Sequence, residues 1–284
     1  MSGRGGGMNG RPAGCVALGR MPPAAHTEGM IALNRLYRLG VVLLLTGLSA
    51  REAIAQLRVQ VDTEYFTWHE HTTPIEVKET GPRFGIGLEF VQPKHAGLLV
   101  AGRGRYYGGS VDYDGSFQFD ATLAARGTST YHGGSIGGDI RYRWPDAVDA
   151  VAGLDYELWR RQLSQVQHED YRVLSMRIGF EREATSPFLF GGGMRFLLAT
   201  DETATIEEGG FRYDLELTPG LGSNGYAHAG VHVTAHVTAL AYWDGMEMGR
   251  SNTVTLLKRG RPQATVSQPP TSVDTFGLRL SYGW

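Results

Sequence analysis

Apolar and polar residues alternate one by one along many segments of the chain, most clearly in the C-terminal segment 276–284. Its even positions are Phe, Leu, Leu, Tyr and Trp, whereas its odd positions are Gly, Arg, Ser and Gly. Successive side chains of a β-strand point to opposite faces of the sheet. This alternation therefore predicts strands that have one apolar face and one polar face.

Ten segments follow this pattern, which predicts an all-β fold. They are 57–69, 82–92, 98–113, 127–144, 148–161, 171–181, 187–199, 225–234, 237–249 and 273–284. Short connections (93–97, 145–147, 182–186 and 235–236) alternate with long polar ones (70–81, 114–126, 162–170, 200–224 and 250–272). This layout is typical of an up-and-down antiparallel transmembrane β-barrel, here with about ten strands, in a range of about eight to twelve.

The charged residues indicate which face points inward. The chain has 24 Arg but only 3 Lys, and its net charge is −2. Arg suits fixed ion pairs in confined polar spaces, whereas a solvated surface would carry more Lys. The polar faces are therefore predicted to line the lumen, and the near-neutral charge argues against a nucleic-acid partner. The predicted lumen charge network consists of Arg103, Arg105, Asp139, Arg141, Arg143, Asp155, Glu157, Arg177, Glu181, Arg195 and Arg279.

Two readings of this network stay open. Asp155 and Glu157, with Arg141 and Arg143 on the preceding strand, could form a catalytic or substrate-binding cluster. Such sets more often form a salt-bridge plug that satisfies buried charges, and the plug is favoured here. Aromatic residues near the predicted strand ends are expected to form two girdles at the membrane interfaces. They are Phe66, Trp68, Tyr106, Tyr107, Tyr113, Tyr142, Trp144, Trp159, Tyr242, Trp243, Tyr282 and Trp284.

The N-terminal part of the chain is predicted to be removed. Residues 1–29 are rich in Gly, Pro and Arg without periodicity, which indicates an unstructured extension with a misassigned start. Residues 30–55 resemble a secretory signal: Arg35 and Arg38 precede the apolar run 39–48, and cleavage is expected after Ala55. The barrel is predicted to occupy residues 56–284. That part contains no cysteine, as suits an exported chain.

The final strand resembles the C-terminal signature of Gram-negative outer-membrane β-barrel proteins. The residues that carry this resemblance are Phe276, Leu278, Leu280, Tyr282 and Trp284. It implies location in the bacterial outer membrane, contact with lipid and lipopolysaccharide, and recognition by the barrel-assembly machinery. Small barrels of this kind are often monomers, so a monomer is expected. The chain departs from the pattern in its last residue, which is Trp rather than the commonest Phe. A secreted soluble β-sandwich is the alternative.

Four motifs that could carry chemistry are weak. The segment 133–137 matches G-x-S-x-G, but that motif needs a strand–turn–helix elbow and here lies within a predicted strand. His69 and His71 share a strand face without an evident third metal ligand. The histidines 228, 232 and 236 are too far apart along a strand to chelate one ion. The segment 112–115 fits a turn better than a calcium loop. No catalytic residue, metal or cofactor is predicted.

The leading functional hypothesis is a non-enzymatic outer-membrane barrel, either structural or a narrow passage for small solutes, with long extracellular loops. Ten strands enclose a narrow lumen, because roughly eight strands are already filled by side chains and about sixteen leave an aqueous channel. One alternative is an outer-membrane enzyme acting on lipid or peptide. Another is a surface adhesin or receptor that uses the loops around 207–208 and 259–268.

Overall fold

The computed structural model describes residues 56–284 except 94–96, 118–119, 145–147, 183–186, 209–210 and 259–260. The predicted extension (1–29) and signal peptide (30–55) lie outside the described residues. Among the described residues, no helix is long and apolar enough to cross a membrane.

The described part of the chain consists of β-strands and their connections. The strands are β1 (Gln56–Glu70), β2 (Val77–Pro93), β3 (Leu98–Phe117), β4 (Asp120–Arg143), β5 (Asp149–Ser164), β6 (Gln167–Arg182), β7 (Phe188–Glu208), β8 (Phe211–Leu217), β9 (Ser223–His232), β10 (Val237–Met248), β11 (Val254–Lys258), β12 (Arg261–Val266) and β13 (Thr271–Gly283).

Ten of these strands close into an antiparallel barrel. Strands β1 to β7 pair in chain order, and β7 continues to β9, β10 and β13. Strand β13 then pairs with β1 and closes the barrel. The predicted all-β, ten-stranded up-and-down barrel is thus confirmed. Strands β2 and β3, β4 and β5, β6 and β7, and β9 and β10 meet through short connections at one end, which we call the short-turn end; we call the opposite end the hairpin end.

The prediction that the long connections are loops is wrong in detail, because much of their length is β-structure. Strand β7 runs on to Glu208 and pairs with β8, beyond the part of β7 that pairs with β9. Strands β11 and β12 form a separate two-stranded sheet. An apolar cluster of Ala204, Ile206, Leu215, Leu217 and Leu256 packs these two hairpins together. The hairpins therefore form an ordered structure at the hairpin end.

The outside of the barrel carries a broad apolar belt. Large apolar side chains such as Phe84, Phe188 and Leu278 are each 62% exposed. Further members are Val61, Tyr65, Ile86, Leu88, Tyr106, Ile136, Ile140, Leu154, Ile178, Phe180, Phe276, Leu280 and Tyr282. Soluble proteins rarely expose contiguous apolar surface of this extent, whereas a barrel in a bilayer does so. The apolar faces therefore face lipid, and the soluble sandwich is excluded.

The belt ends before the strands do. On the outward face of β1, Tyr65 is followed by Thr67 and His69, and on β2 the outward residues above the belt are Lys78 and Thr80. The strands thus continue past the bilayer at the hairpin end.

Candidate functional site: the barrel interior

The inward side chains of four consecutive strands form one half of a charged network. Arg103 of β3 donates to Asp155 of β5 (Nη2–Oδ1 2.7 Å) and also pairs with Asp139 of β4. Arg177 of β6 reaches the second oxygen of Asp155 at 2.8 Å. Arg141 binds Asp139 through Nε at 2.6 Å. Because inward positions recur every second residue, the four strands place these groups at matching heights.

The opposite wall is built in the same way. Asp62 of β1 accepts from Arg105 and from Arg279, each through Nε at 2.6 Å. Glu64, the next inward residue of β1, contacts Arg105 and lies 3.2 Å from Arg83. The side chains of Asp62 and Glu64 have no solvent exposure. These carboxylates are therefore held by guanidinium groups from β2, β3 and β13.

Arg195 of β7 connects β5 with β10 across the interior. It donates to Glu157 of β5 and to Asp244 of β10, each at 3.0 Å. Arg143 pairs with Asp149 at 2.9 Å, nearer the short-turn end. Arg141 also binds Glu181 at 2.6 Å. With this contact, all eleven residues of the predicted network form ion pairs inside the barrel.

The eleven predicted residues leave out several of their own acidic partners: Asp62 and Glu64 on β1, Asp149 on β5 and Asp244 on β10. Asp149 and Asp244 are ion-pair partners of Arg143 and Arg195. The alternation of residues could have identified Asp149, because Asp149 shares the odd-numbered inward face of β5 with Asp155. Asp244 shares the inward face of β10 with Tyr242, which had been assigned to an interfacial girdle.

Charge is balanced inside the network, which favours the plug over a substrate-binding cluster. A guanidinium and a carboxylate that satisfy each other have little capacity left to hold a charged ligand. A cavity of about 250 Å³ lies among these side chains, lined by Arg103, Arg177, Glu157 and His228 among others. Such a polar space suits ordered water.

An aromatic layer covers this network on the side of the hairpin end. We define the aromatic layer as Phe66, Trp68, Tyr107, Tyr131, Trp159 and Tyr171, all 6% exposed or less. The rings of Trp159 and Tyr171 stack at 4.9 Å, and Phe66 lies 4.7 Å from Tyr131. Apolar side chains such as Val173 and Met246 fill the space around them. These buried side chains pack against one another across the lumen.

The girdle prediction was wrong for the aromatic residues that enter this layer or its surroundings. Phe66, Trp68, Tyr107 and Trp159 are buried inside the barrel rather than placed at the membrane interface. Tyr242 also points inward and donates to Glu64 at 2.6 Å. The inward orientation of these aromatic side chains follows from the alternation of residues, because each lies on the same strand face as inward charged residues.

A closed ten-stranded barrel with a lipid-facing belt and a charged interior settles the architecture. The chain has the fold of the Gram-negative outer-membrane β-barrel proteins. No protein-family model matches the chain, and no match to it is found among the sequences of curated proteins.

Solved structures of outer-membrane barrels are similar to this one in fold. The outer-membrane protease OmpT from Escherichia coli is 7% identical, with 83% of this chain and 99% of that one covered and a TM-score of 0.49. The translocator domain of the autotransporter NalP from Neisseria meningitidis is 10% identical, with 90% and 97% covered and a TM-score of 0.41. The Neisserial surface protein NspA is 11% identical, with 80% and 97% covered and a TM-score of 0.36. These likenesses concern the fold alone.

Above the aromatic layer, the outer-membrane barrel holds one arginine among several buried carboxylates. Arg161 lies 2.7 Å from Glu70, 2.7 Å from Glu79 and 2.8 Å from Glu169. We call these four residues the Arg161 cluster. The side chain of Arg161 is only 2% exposed, so its charge is compensated by the three carboxylates and not by solvent.

The aromatic layer donates hydrogen bonds to this cluster. Trp68 donates to Glu70 at 2.9 Å, and Tyr171 donates to Glu169 at 3.0 Å. The hydroxyl of Tyr131 donates to Glu79. Each ring therefore packs its apolar body in the layer and directs its polar atom upward, as buried Trp and Tyr require.

The Arg161 cluster lies outside the bilayer. The outward residues beside Arg161 are Arg160 and, on β6, Asp170, which form an ion pair at 2.7 Å. Glu202, on β7 near the cluster, is buried, and its Oε2 has no hydrogen-bond partner among the described residues. Burial, together with the nearby Glu169, raises the pKa of Glu202 well above its usual range. The neutral form of Glu202 is thereby favoured.

The G-x-S-x-G motif forms no nucleophile elbow. Ser135 lies in the middle of β4, cross-strand from Arg105 and Glu157. The motif's glycines make room for inward neighbours: a Cβ at Gly137 would lie 2.0 Å from Asp155 Oδ1, and one at Gly133 would collide with β5. These glycines therefore serve close packing of the lumen wall and do not shape a catalytic turn.

The other weak motifs are placed as follows. His228 lines the polar cavity, whereas His232 bonds Thr238 at 3.0 Å and His236 bonds the carbonyl of Gly283 at 2.9 Å. Residues 112–115 continue β3, so the predicted turn is wrong there. His69 and His71 lie at the hairpin end, beside the start of β2.

Proposed function

We propose that this protein is an integral outer-membrane barrel whose lumen is closed to solutes and whose role is structural. The aromatic layer carries this proposal. A passing solute would have to displace packed, buried rings together with the hydrogen bonds they donate to the Arg161 cluster. Of the two versions of the leading hypothesis, structural barrel and narrow passage, the packing favours the first.

The orientation follows from the two barrel ends. Outer-membrane barrels have short periplasmic turns and longer extracellular segments. The short-turn end is accordingly assigned to the periplasm and the hairpin end to the cell surface. In this orientation the polar cavity lies on the periplasmic side of the aromatic layer.

A second role, surface recognition, is favoured by the two packed hairpins. The apolar cluster defined by Ala204, Ile206, Leu215, Leu217 and Leu256 holds β7–β8 against β11–β12. An ordered surface loses less conformational entropy on binding than a flexible loop does. The barrel would then act as the anchor of this surface.

Reconstituted wild-type protein is expected to produce no conductance steps in planar bilayers across a range of salts and voltages, because the aromatic layer blocks water and ions. Folded insertion is verified on the same sample by the mobility shift between heated and unheated protein on gels. Liposome swelling with a small sugar provides a second readout. Reproducible discrete steps from folded protein would contradict the closed lumen and favour the narrow passage.

A further inference from the structure

Three potential metal ligands meet where β1 turns into β2. His69 is the last outward residue of β1, and His71 follows directly after the strand. Glu76 immediately precedes β2. The turn folds back on itself, with the hydroxyl of Thr72 donating to the carbonyl of Ile75. Sequence reasoning found no third ligand because Glu76 comes close to the histidines only through this turn.

The ligand atoms are close to a coordinating arrangement. His69 Nε2 lies 2.9 Å from Glu76 Oε2, and the two imidazole rings are 4.4 Å apart. One ligand atom from each of the three residues lies within 4.8 Å of the others. In a tetrahedral zinc site, ligands bound at roughly 2.0–2.2 Å are separated by about 3.4 Å. The three side chains are partly or fully exposed, so small rotations suffice to reach these positions.

We propose that His69, His71 and Glu76 form a binding site for a first-row divalent transition metal, with zinc as the best fit. Two imidazoles and one carboxylate match the nitrogen and oxygen ligands of zinc, whereas calcium and magnesium prefer oxygen alone. Three protein ligands leave the fourth position to water. The bound ion connects the end of β1 to the start of β2 at the hairpin end.

One cationic side chain and one hydroxyl group lie next to the proposed metal site. Lys78 is cross-strand from His69, and it is exposed, so solvent screens its repulsion of a metal ion. Ser272 Oγ lies 3.4 Å from His71 Nε2 on the other side. The carboxylate of Glu70 binds Arg161 inside the barrel and is not available to the metal.

Zinc binding by the full-length folded barrel, purified without a histidine tag, tests this site. Isothermal titration with zinc chloride is expected to show one saturable site per barrel. That stoichiometry corresponds to one ion shared by His69, His71 and Glu76. Outer-shell substitutions cost about 10–100-fold in metal affinity, so His69→Gln and His71→Gln, which remove ligands, are each expected to weaken binding by at least that factor. Glu76→Gln is expected to weaken it as well.

The control is His132→Gln, because His132 is an exposed, outward histidine on β4 outside the proposed ligand set. This variant is expected to bind zinc as the wild type does. Gel mobility checks that every variant is folded, which the exposed positions of the ligands favour. The proposal is overturned if wild-type protein binds no zinc at micromolar concentration. It is equally overturned if the His69 and His71 variants bind as tightly as the wild type, or if binding is lost with His132→Gln.

Discussion

Replacing Arg161 with methionine is expected to lower the free energy of unfolding by about 3–5 kcal/mol, the range observed when one partner of a buried ion pair is removed. The substitution keeps much of the side-chain length but leaves Glu70, Glu79 and Glu169 without their guanidinium. Each of these carboxylates is buried, and each lies within 2.8 Å of Arg161. Their mutual repulsion is then uncompensated.

The chain provides a matched control next to this residue. Arg160 belongs to the same strand but points outward, and its side chain is 41% exposed in its ion pair with Asp170. Exposed pairs contribute roughly 0–1 kcal/mol, so Arg160→Met is expected to change stability little. Urea unfolding of both variants in lipid vesicles, followed by tryptophan fluorescence, gives the comparison. Equal losses in the two variants would contradict the buried role of Arg161.

A second substitution separates repulsion from lost packing. If uncompensated charge causes the loss, adding Glu79→Gln to Arg161→Met removes one of the repelling carboxylates. The double variant is then expected to be more stable than Arg161→Met alone, with the coupling measured by a double-mutant cycle. A double variant that is less stable than Arg161→Met would assign the effect to packing.

Replacing Ile86 with arginine is expected to destabilise the folded barrel in a bilayer by about 2–4 kcal/mol, the cost of a lipid-facing Arg near the bilayer midplane. Ile86 lies in the middle of the outward face of β2, between Phe84 and Leu88, and is 56% exposed. A surface position of that exposure in a soluble protein would accept Arg with little change. The effect therefore depends on contact with acyl chains.

Thr80 supplies the control for this prediction. It lies on the same outward face of β2, beyond the apolar belt, so Thr80→Arg is expected to cost about 0–1 kcal/mol. Unfolding of both variants is compared in the same vesicles. Tolerance of Arg at position 86 to the same degree as at position 80 would show that the belt does not contact lipid.

The alternation of residues predicted the parts of the fold in which one face is apolar over a whole strand. Strand β13 is an example, because Leu278 and Arg279 must occupy opposite faces and a lipid-facing Arg is costly. The same parity places Arg103, Asp139 and Asp155 on neighbouring inward faces, from which their ion pairs follow. Closure into a barrel follows because the backbone N–H and C=O groups of an open edge strand would have no hydrogen-bond partners in lipid.

Other parts of the structure depend on contacts between distant segments. Trp159 and Tyr171 form an internal layer only because neighbouring strands place both at one height, and an aromatic near a strand end is equally consistent with an interfacial girdle. The hairpins β7–β8 and β11–β12 are rich in polar residues, and their short apolar runs pack mainly against each other. Glu76 reaches the two histidines through a turn whose shape no spacing rule gives.

The orientation of the two strand faces is tested most directly by nitroxide labels on β13. The only cysteine of the chain is Cys15, which precedes the predicted cleavage site, so single cysteines can be introduced into the barrel. Labels at 278 and 280, where the native leucines are at least 50% exposed, are expected to be accessible to membrane-dissolved oxygen and protected from a water-soluble nickel chelate. Labels at 279 and 281 are expected to show much lower oxygen accessibility. Equal accessibility at all four positions, or a reversed pattern, would contradict the lipid-facing belt and the enclosed charges.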